Sequence, residues 1–261
     1  MFDYSGKVVI VTGGAGGIGR ALSLGFAKAG ASVLAIDVDE AAGKELTNTD
    51  HAPGKIIFFP GDVSSAEICR SAVETAVNEF GGLDVICNNA GIQPKSSYLP
   101  AHELPEEMWD RIIDVNLKAP FLLTGYAIPH LRARGGGVIL NTASVQGLQS
   151  AHHVSAYAAS KGGLLSLTRQ LALDYAPDKI RVLAICPGTI DTNMPAISIE
   201  PGGPTLDEMR VEWGKTHPLG RIGAPEEIAN VALFLASDYA SFMTGEYVCV
   251  DGGMMAKGAW A

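Results

Sequence analysis

The 261 residues include 28 acidic and 19 basic side chains, which gives a net charge of −9, and 47% of the residues are hydrophobic. The acidic balance argues against nucleic acid as a partner, since phosphate binding needs a basic face. No apolar run could span a membrane, the first residues lack the pattern of a signal peptide, and the four cysteines form no Cys-x-x-Cys pair. We therefore expect a cytoplasmic α/β protein of one domain with reduced thiols and no metal site.

The first predicted elements are a strand and a helix joined by a glycine-rich loop. Lys7–Thr12 is the kind of β-branched run found in strands buried on both faces, and an apolar helix is predicted from Arg20 to about Lys28. The loop between them includes Gly13, Gly17, Ile18 and Gly19. Glycines let backbone N–H groups approach a pyrophosphate, and the positive end of the helix favours its charge. This order favours a dinucleotide site over a plain turn.

An acid at the end of the second predicted strand, Ala31–Asp37, indicates which dinucleotide binds. A carboxylate at this distance from the glycine loop accepts hydrogen bonds from the adenosine ribose and repels a 2′-phosphate. No Arg or Lys occurs within the glycine loop, and Val38 follows the acid. We therefore expect NAD as the cofactor. The alternative is that Asp37 caps the helix beginning near Glu40, and both roles could hold.

The third predicted strand, Lys55–Phe59, precedes a second candidate for a cofactor contact. Asp62 could accept a hydrogen bond from the adenine amino group while Val63 covers the ring. Ser64 is predicted to cap the next helix, which continues to about Phe80. Structural capping is nearly as strong an interpretation of Asp62.

Small and polar residues follow the fourth predicted strand, Leu83–Cys87. The chain continues there with Asn88, Asn89, Ala90 and Gly91. Short side chains at a strand end permit close approach of a cofactor or of a neighbouring strand.

Asn116 lies within a predicted helix, Pro105–Lys118, although asparagine lowers helix propensity. An asparagine at this position of a helix is expected if its side chain makes a specific contact. One interpretation is a buried amide that satisfies backbone groups, and the other is an amide that holds a water molecule.

A tyrosine and a lysine lie on the helix that follows the next apolar run, Gly137–Ser144. Tyr157 and Lys161 are one turn apart on one helix face. An ammonium group beside a phenol favours the phenolate and lowers the tyrosine pKa, which suits acid–base chemistry near neutral pH. Ser144, at the end of its strand, could hold a substrate oxygen while Tyr157 moves the proton. The alternative is a tyrosine at the core edge with a solvated lysine.

The sixth predicted strand, Ile180–Ile185, ends in an abrupt turn at the same carboxyl edge. The turn includes Pro187, Gly188 and Thr189. The following segment, at about 190–217, is irregular apart from a short predicted helix around Met209 and Trp213, and we expect it to act as a substrate lid. The last predicted elements are a helix over Pro225–Ala236 and a strand over Tyr247–Val250.

Together these motifs resemble the short-chain dehydrogenase/reductase family. The similarity rests on Thr12–Gly19 as the Thr-Gly-x-x-x-Gly-x-Gly loop, Asn88–Gly91 as Asn-Asn-Ala-Gly, Tyr157–Lys161 as Tyr-x-x-x-Lys, and Pro187-Gly188 after the sixth strand. It covers nearly the whole chain. The resemblance implies a doubly wound, Rossmann-type parallel sheet of seven strands in a single domain, with helices on both faces.

The resemblance also implies roles for individual residues. Tyr157 would act as acid or base, Lys161 would lower its pKa and bind the nicotinamide ribose, and Ser144 would orient the substrate oxygen. Asn116 would support a proton relay through water, and Thr189 would contact the nicotinamide carboxamide. Further cofactor contacts are expected at Gly13, Gly17, Ile18, Gly19, Asn89, Ala90, Gly91, Pro187 and Gly188. Many members are homotetramers, and we expect one here.

Polar residues around the predicted site favour a hydroxylated substrate. Gln146 and His153 follow Ser144, and Gln93 follows the Asn-Asn-Ala-Gly segment. If these residues line the pocket, they supply the donors and acceptors that a sugar, polyol or small cyclic diol needs, which makes a steroid less favoured. The alternative is that His153 and its neighbour His152 face solvent.

Three functions are compatible with this sequence. The first, which we favour, is NAD-dependent oxidation of a secondary alcohol or sugar hemiacetal, with Tyr157 as general base. The second is reduction of a ketone or a carrier-bound 3-oxoacyl group, against which Asp37 and the acidic surface weigh. The third is a nucleotide-binding scaffold without turnover. The joint presence of Asn116, Ser144, Tyr157 and Lys161 argues against it.

Overall fold

The computed structural model describes residues 2–192 and 205–257. Within these residues, seven parallel strands form one sheet. The strands are β1 (Val8–Thr12), β2 (Ser32–Asp37), β3 (Lys55–Pro60), β4 (Val85–Asn88), β5 (Gly137–Thr142), β6 (Ile180–Pro187) and β7 (Tyr247–Val250). The helices are α1 (Gly17–Lys28), α2 (Glu40–Asn48), α3 (Ala66–Phe80), α4 (Glu106–Ile113), α5 (Ala119–Ala133), α6 (Ser155–Tyr175), α7 (Leu206–Gly214) and α8 (Pro225–Ala236). None of the helices in the described residues is long and apolar enough to cross a membrane.

The strand order is β3-β2-β1-β4-β5-β6-β7, so the chain moves outward from β1 and then returns to the centre at β4. All neighbouring strands are parallel, and they therefore end at one edge of the sheet. Ligands of such sheets bind outside the carboxyl ends, where the strand order reverses. The topology brings the glycine loop after β1 beside the Asn-Asn-Ala-Gly segment after β4.

Separate hydrophobic cores cover the two faces of the sheet. Val9 and Val11 of β1 belong to the core that includes α1 and α8, whereas Val8 and Ile10 belong to the core of α3 and α5. Successive side chains of a strand point to opposite faces, so a strand with both faces covered must be apolar throughout. The doubly wound fold expected from the resemblance is confirmed.

The helix predicted over Pro105–Lys118 is longer than expected and changes its winding. It consists of α4, a π-helical turn over Asp114–Lys118, and α5. Pro120 lies at the start of α5, directly after the π turn, and does not stop the helix. Asn116 lies within the π turn, a type of helical irregularity that occurs frequently at functional sites.

Two predicted helix caps are wrong by one or two residues. Asp39, not Asp37, caps α2 by accepting the Ala42 N–H at 3.0 Å. Ser65, not Ser64, caps α3. In the first case, the backbone of Asp37 still pairs with β3, so the helix begins only after a short extended segment.

The expected lid at about 190–217 lies partly outside the described residues, which omit 193–204. Its described part contains the predicted short helix as α7. Thr205 caps this helix by accepting the Glu208 N–H, and the Glu208 carboxylate accepts the Thr205 N–H in return. Trp260, near the end of the chain, also lies outside the described residues.

Candidate active site

The glycine loop leaves the first turn of α1 open to an anion. The loop takes left-handed backbone angles at Gly13 (φ 61°) and Gly17 (φ 47°), which favour glycine. Among the described residues, no side chain caps α1, and its first turn holds no acidic residue. A Cβ at Gly19 would lie 1.8 Å from the Gly13 carbonyl oxygen, so only glycine permits this close packing. The exposed N–H groups fit the pyrophosphate of a dinucleotide.

Thr12 connects the glycine loop to the segment after β4. Its hydroxyl oxygen accepts the backbone N–H groups of Asn89 and Ala90, both at 2.9 Å. The Asn89 side-chain amide in turn donates to the Thr12 carbonyl at 3.0 Å. Asn89 and Ala90 thus have a structural task beside their predicted cofactor contact.

Gly91 lies between two of the predicted catalytic side chains. A Cβ at this position would come within 3.3 Å of the Lys161 Nζ and 3.5 Å of the Asn116 Oδ1. The absence of a side chain at Gly91 therefore keeps the space between these groups available. Ile18 is half-buried in the first turn of α1 and packs on the core that α1 shares with α8.

Asp37 ends β2 and is bound to the glycine loop. One carboxylate oxygen accepts the Ala15 N–H at 3.1 Å, and the other accepts the Asp39 N–H at 3.1 Å. The nearby Arg20 donates instead to the hydroxyl of Thr49, which follows α2, at 3.0 Å. The carboxylate is half-buried at the position where the sequence predicts a ribose contact.

Asp62 has protein partners that the sequence did not predict. Arg111 of α4 donates to its carboxylate at 2.8 Å and also to the Ser64 hydroxyl at 2.8 Å. Although partial burial opposes ionisation, the hydrogen bonds from Ser64 and Arg111 hold the pKa of Asp62 below its usual range. Asp62 therefore has structural partners, but it does not cap α3, because Ser65 does. The adenine contact stays a prediction. Val63 beside it is buried in the core of α3 and α5.

Asn116 satisfies backbone groups, as one of the two interpretations expected. Its carbonyl accepts the Ile92 N–H at 2.8 Å, and its amide donates to the Ile92 carbonyl at 3.0 Å. The amide also donates to the Ser160 hydroxyl at 3.2 Å, and that hydroxyl donates to the Tyr157 carbonyl at 2.7 Å. Asn116 therefore fixes the loop after β4 to the catalytic helix. Its role in a water relay stays a prediction.

Lys161 is buried and holds the end of β5. Its ammonium donates to the Thr142 carbonyl at 2.7 Å and lies 5.6 Å from the centre of the Tyr157 ring. Only 4% of the residue is exposed. Burial lowers the pKa of Lys161 to about 8, because a charged amine is poorly solvated inside a protein.

Burial raises the pKa of Tyr157 to about 12, and the nearby Tyr98 adds to the rise. The Ser144 hydroxyl favours the ionised phenol but only partly offsets this desolvation. The expectation that Lys161 lowers this pKa is therefore wrong for the protein's own groups. Lys161 lies beside the ring and directs its ammonium to Thr142, not to the phenol oxygen.

The predicted substrate residues fall into two groups. The Gln93 amide nitrogen and the Gln146 amide oxygen are buried without a hydrogen-bond partner among the described residues. Gln146 is anchored by its backbone N–H, which donates to the Ser144 hydroxyl at 3.1 Å. His153, by contrast, is exposed, as is His152. Their exposure fits the alternative that both histidines face solvent.

The turn after β6 packs tightly against a histidine that the sequence reasoning missed. The Gly188 N–H donates to the Val250 carbonyl at 3.1 Å, and the Thr189 N–H donates to the Nε2 of His217 at 3.1 Å. A Cβ at Gly188 would meet His217 at 2.9 Å. Pro187 is the last residue of β6 and pairs with Val250.

The other residues that the sequence reasoning missed act through backbone contacts or distant partners. They are Thr142 and Ser160, which meet Lys161 and Asn116, and Arg111, which binds Asp62. No sequence pattern marks them, apart from the position of Thr142 at the end of the fifth strand. The described residues contain no group of three or more His, Cys, Asp or Glu side chains arranged to hold a metal ion.

An open doubly wound sheet, a glycine cradle and a Ser–Tyr–Lys cluster with a buried serine and lysine define a dinucleotide-type oxidoreductase site. A family model described as enoyl-(acyl carrier protein) reductase matches residues 13–255. Cyclohexanol dehydrogenase of Acinetobacter sp. (strain SE19) is 40% identical to the chain, over 97% of each. A 3-oxoacyl-(acyl-carrier-protein) reductase of Thermotoga maritima is 38% identical, over 96% of this chain and 98% of the relative.

The fold comparison agrees with these relatives. The crystal structure of a proposed short-chain alcohol dehydrogenase from Sinorhizobium meliloti 1021 superposes with a TM-score of 0.89 at 33% identity. The match covers 98% of this chain and 99% of the other. The chain belongs to the short-chain dehydrogenase/reductase family and is an oxidoreductase that acts on CH–OH groups. The resemblance found in the sequence is confirmed.

Proposed function

We propose that this protein oxidises a secondary alcohol by hydride transfer to NAD, with Tyr157 as the general base. The observation that supports this function best is the buried ammonium of Lys161, which lies 5.6 Å from the centre of the Tyr157 ring. Ser144 follows the end of β5, and Lys161 of α6 binds that end at the Thr142 carbonyl, beside Gly91 of the segment after β4. A polar cluster buried here suits proton transfer at the edge of a dinucleotide site.

In this mechanism, the substrate hydroxyl lies between Ser144 and Tyr157. Ser144 holds the reacting oxygen, and the phenolate oxygen of Tyr157 accepts the hydroxyl proton. When bound, the dinucleotide supplies the hydride acceptor, and its positively charged nicotinamide ring favours the phenolate. The high pKa of Tyr157 in the protein alone means that this residue needs added positive charge before it can act as a base.

Lys161 and Asn116 suit the proton's onward path. The pKa of Lys161 is about 8, so its ammonium can release and regain a proton near neutral pH. Among the described residues, the Asn116 carbonyl accepts a hydrogen bond from Ile92, and an amide oxygen has a second lone pair for a water molecule. We propose that the proton leaves Tyr157 by way of Lys161 and a water near Asn116. Thr189 would meet the nicotinamide carboxamide.

The preference for NAD rests on Asp37. Its carboxylate is held at the end of β2 by the N–H groups of Ala15 and Asp39. A fixed carboxylate pairs with a ribose 2′-hydroxyl and repels a phosphate in the same place. Arg20, which could otherwise neutralise that phosphate, is engaged with Thr49 and Glu45.

We propose a ring-bearing substrate with a second polar group, such as a cyclic diol or a sugar. A buried amide without a partner is unfavourable, and the amides of Gln93 and Gln146 could pair with a second hydroxyl of such a substrate. The relative that acts on cyclohexanol supports a six-membered ring. The described part of the 190–217 segment is proposed to cover this substrate.

The 3-oxoacyl reductase of Thermotoga maritima supports a second candidate, reduction of a carrier-bound 3-oxo group. An acidic carrier would be repelled by a chain of net charge −9, and Asp37 disfavours a phosphorylated cofactor. This candidate therefore needs both a local basic patch and a different cofactor preference.

We also propose that the protein is a homotetramer. Four exposed apolar side chains, Phe234, Tyr239, Phe242 and Tyr247, lie on or near α8 and β7, and we propose that they form one contact surface, the β7 patch. Trp109 and Phe121, on α4 and α5, form a second, the α5 patch. A tetramer with three twofold axes can use two different self-complementary patches in this way.

A substrate and cofactor screen tests the proposed function. NAD reduction would be measured with cyclohexanol, cyclic diols, polyols, sugars and hydroxysteroids, and NADPH oxidation with a 3-oxoacyl ester. The expected result is NAD-dependent oxidation, with cyclic diols or sugars preferred over hydroxysteroids. Preferred turnover of the 3-oxoacyl ester with NADPH would replace this proposal by the second candidate.

A further inference from the structure

His217 occupies a buried position between α7 and the turn that follows β6. Only 3% of the residue is exposed. Its Nε2 accepts the Thr189 N–H at 3.1 Å, and its Nδ1 lies 3.0 Å from the carbonyl oxygen of Trp213 in α7. A backbone N–H can only donate, so Nε2 is the acceptor and the ring proton lies on Nδ1, which has the Trp213 carbonyl and the Thr216 hydroxyl both at 3.0 Å.

The His217 imidazole packs closely against the turn after β6. A Cβ at Gly188 would come within 2.9 Å of Nε2, and a Cβ at Gly252 would come within 3.3 Å of the His217 Cβ. The ring therefore fills the space between the turn after β6 and the segment after β7. Gly188 makes this close approach possible.

A second contact holds the same helix to the same segment. The Arg210 guanidinium of α7 donates to the Asp191 carboxylate at 3.1 and 3.0 Å. This ion pair is partly exposed, so its contribution to stability is small. His217 differs in that it is buried and binds a backbone group. Of the two contacts, it is the one that fixes the path of the turn.

We propose that His217 is a positioning residue for the cofactor, because it holds the Thr189 backbone in the conformation that meets the nicotinamide end of the dinucleotide. The inference rests on the proposed cofactor role of Thr189. Without the imidazole acceptor, the Thr189 N–H would be partly buried and unpaired, which is unfavourable enough to make the turn rearrange. The dinucleotide would then have to restore the turn when it binds.

Substitution of His217 by Asn or by Gln, whose amide side chains differ in length, tests the contacts of the two ring nitrogens separately. The amide of Asn reaches about as far as Nδ1, so His217→Asn keeps a donor for the Trp213 carbonyl but leaves the Thr189 N–H unpaired. The longer Gln places an acceptor near Nε2. His217→Met fills the space without a strong acceptor and replaces the Asn variant if that variant does not fold.

The experiment measures the dissociation constant of NADH by fluorescence titration, and the amide exchange rate of Thr189 without cofactor. We expect His217→Asn to raise the dissociation constant about tenfold and to accelerate exchange at Thr189. We expect His217→Gln to stay within about threefold of wild type in both. His51→Asn is the matched control, since His51 contacts a backbone carbonyl beyond α2 and should change neither quantity.

Equal loss of thermal stability in the Asn and Gln variants, with unchanged NADH affinity and unchanged exchange at Thr189, would make His217 an ordinary packing residue. Faster exchange with unchanged affinity would also overturn the inference, because the turn would then not govern cofactor binding. If the wild type binds NADH but oxidises no alcohol, the proposed function fails while the positioning role stands.

Discussion

At the scale of single residues, Tyr157 and Lys161 lie in an environment that opposes charge on both. Burial raises the pKa of Tyr157 to about 12 and lowers that of Lys161 to about 8, so neither ion is favoured by the protein alone. Proximity of an ammonium and a phenol is therefore insufficient for a phenolate. Desolvation outweighs it, and Lys161 directs its hydrogen bond to Thr142.

Tyr157→Phe tests the proton-transfer role. The variant keeps the ring and loses only the hydroxyl, so we expect NADH binding to be retained while kcat falls about 1000-fold. Stopped-flow or steady-state rates and fluorescence titration measure the two quantities. Tyr175→Phe, at the far end of α6, is the control, with an expected rate close to wild type. A Tyr157→Phe rate within a few-fold of wild type would remove the catalytic assignment.

Lys161→Met tests the burial of the ammonium through protein stability. The folded pKa of about 8 is below the unfolded value of 10.5, so the unfolded chain binds more protons between these values. The wild type should therefore gain stability relative to the variant as pH rises, by about 2 kcal/mol between pH 8 and pH 10. Urea unfolding at several pH values measures this difference. A constant difference would mean that Lys161 is not buried as a cation.

Asp37→Ala tests the cofactor preference. Removing the carboxylate removes its repulsion of a 2′-phosphate, so we expect the preference for NAD over NADP in kcat/KM to fall at least tenfold. Asp39→Ala is the neighbouring control, since it removes the cap of α2 but not the ribose contact. Wild-type preference for NADP would refute the ribose argument directly.

At the scale of elements, the π turn between α4 and α5 presents Asn116 to two other elements. The asparagine binds both backbone groups of Ile92 and the hydroxyl of Ser160 on α6. A regular helix would orient this position differently, because each turn would hold fewer residues. The irregular turn thus connects the loop after β4 to the catalytic helix.

Asn116→Ala should destabilise the protein by about 2 kcal/mol, because it leaves the partly buried backbone groups of Ile92 unpaired. Chemical denaturation measures this loss. Asn78→Ala, on the exposed face of α3, should stay within about 0.5 kcal/mol of wild type. A stability loss as small as that of the control would show that the Ile92 contacts do not depend on Asn116.

At the scale of the whole molecule, two apolar patches lie far apart in the sequence. The β7 patch includes Phe242, whose side chain is fully exposed, and the α5 patch includes Phe121. β7 is also the last strand of the sheet, so its outer edge is open within the described residues. Exposed apolar surface of this kind is typical of contacts between subunits.

Phe242→Asp should separate the tetramer into dimers, because a charge placed in a self-complementary patch is repeated across the twofold axis. Phe121→Asp should disrupt the contact through the α5 patch and leave dimers held by the β7 patch. Light scattering coupled to size-exclusion chromatography measures the mass of each variant. Val38→Asp is an exposed apolar control outside both patches. A monomeric wild type would contradict the proposed assembly.

The sequence by itself determined the fold class, the order of elements and the identity of the Ser144–Tyr157–Lys161 cluster. These depend on local signals: β-branched runs, glycines that need positive φ, and residues spaced one helical turn apart. Because neighbouring side chains and backbone preferences produce such signals, they are visible along the chain. Local signals also predicted that Asp37 ends the second strand, but they did not predict that Asp39 caps α2.

Only the tertiary structure decided the electrostatics of the site and its supporting contacts. His217 reaches Thr189, Arg111 reaches Asp62 and Lys161 reaches Thr142 through hydrogen bonds between residues far apart in the chain. Burial shifted both the Tyr157 and the Lys161 pKa, and burial is a property of the packed molecule. Solvation and long-range contact arise only when distant segments meet, which is why no local pattern in the sequence could reveal them.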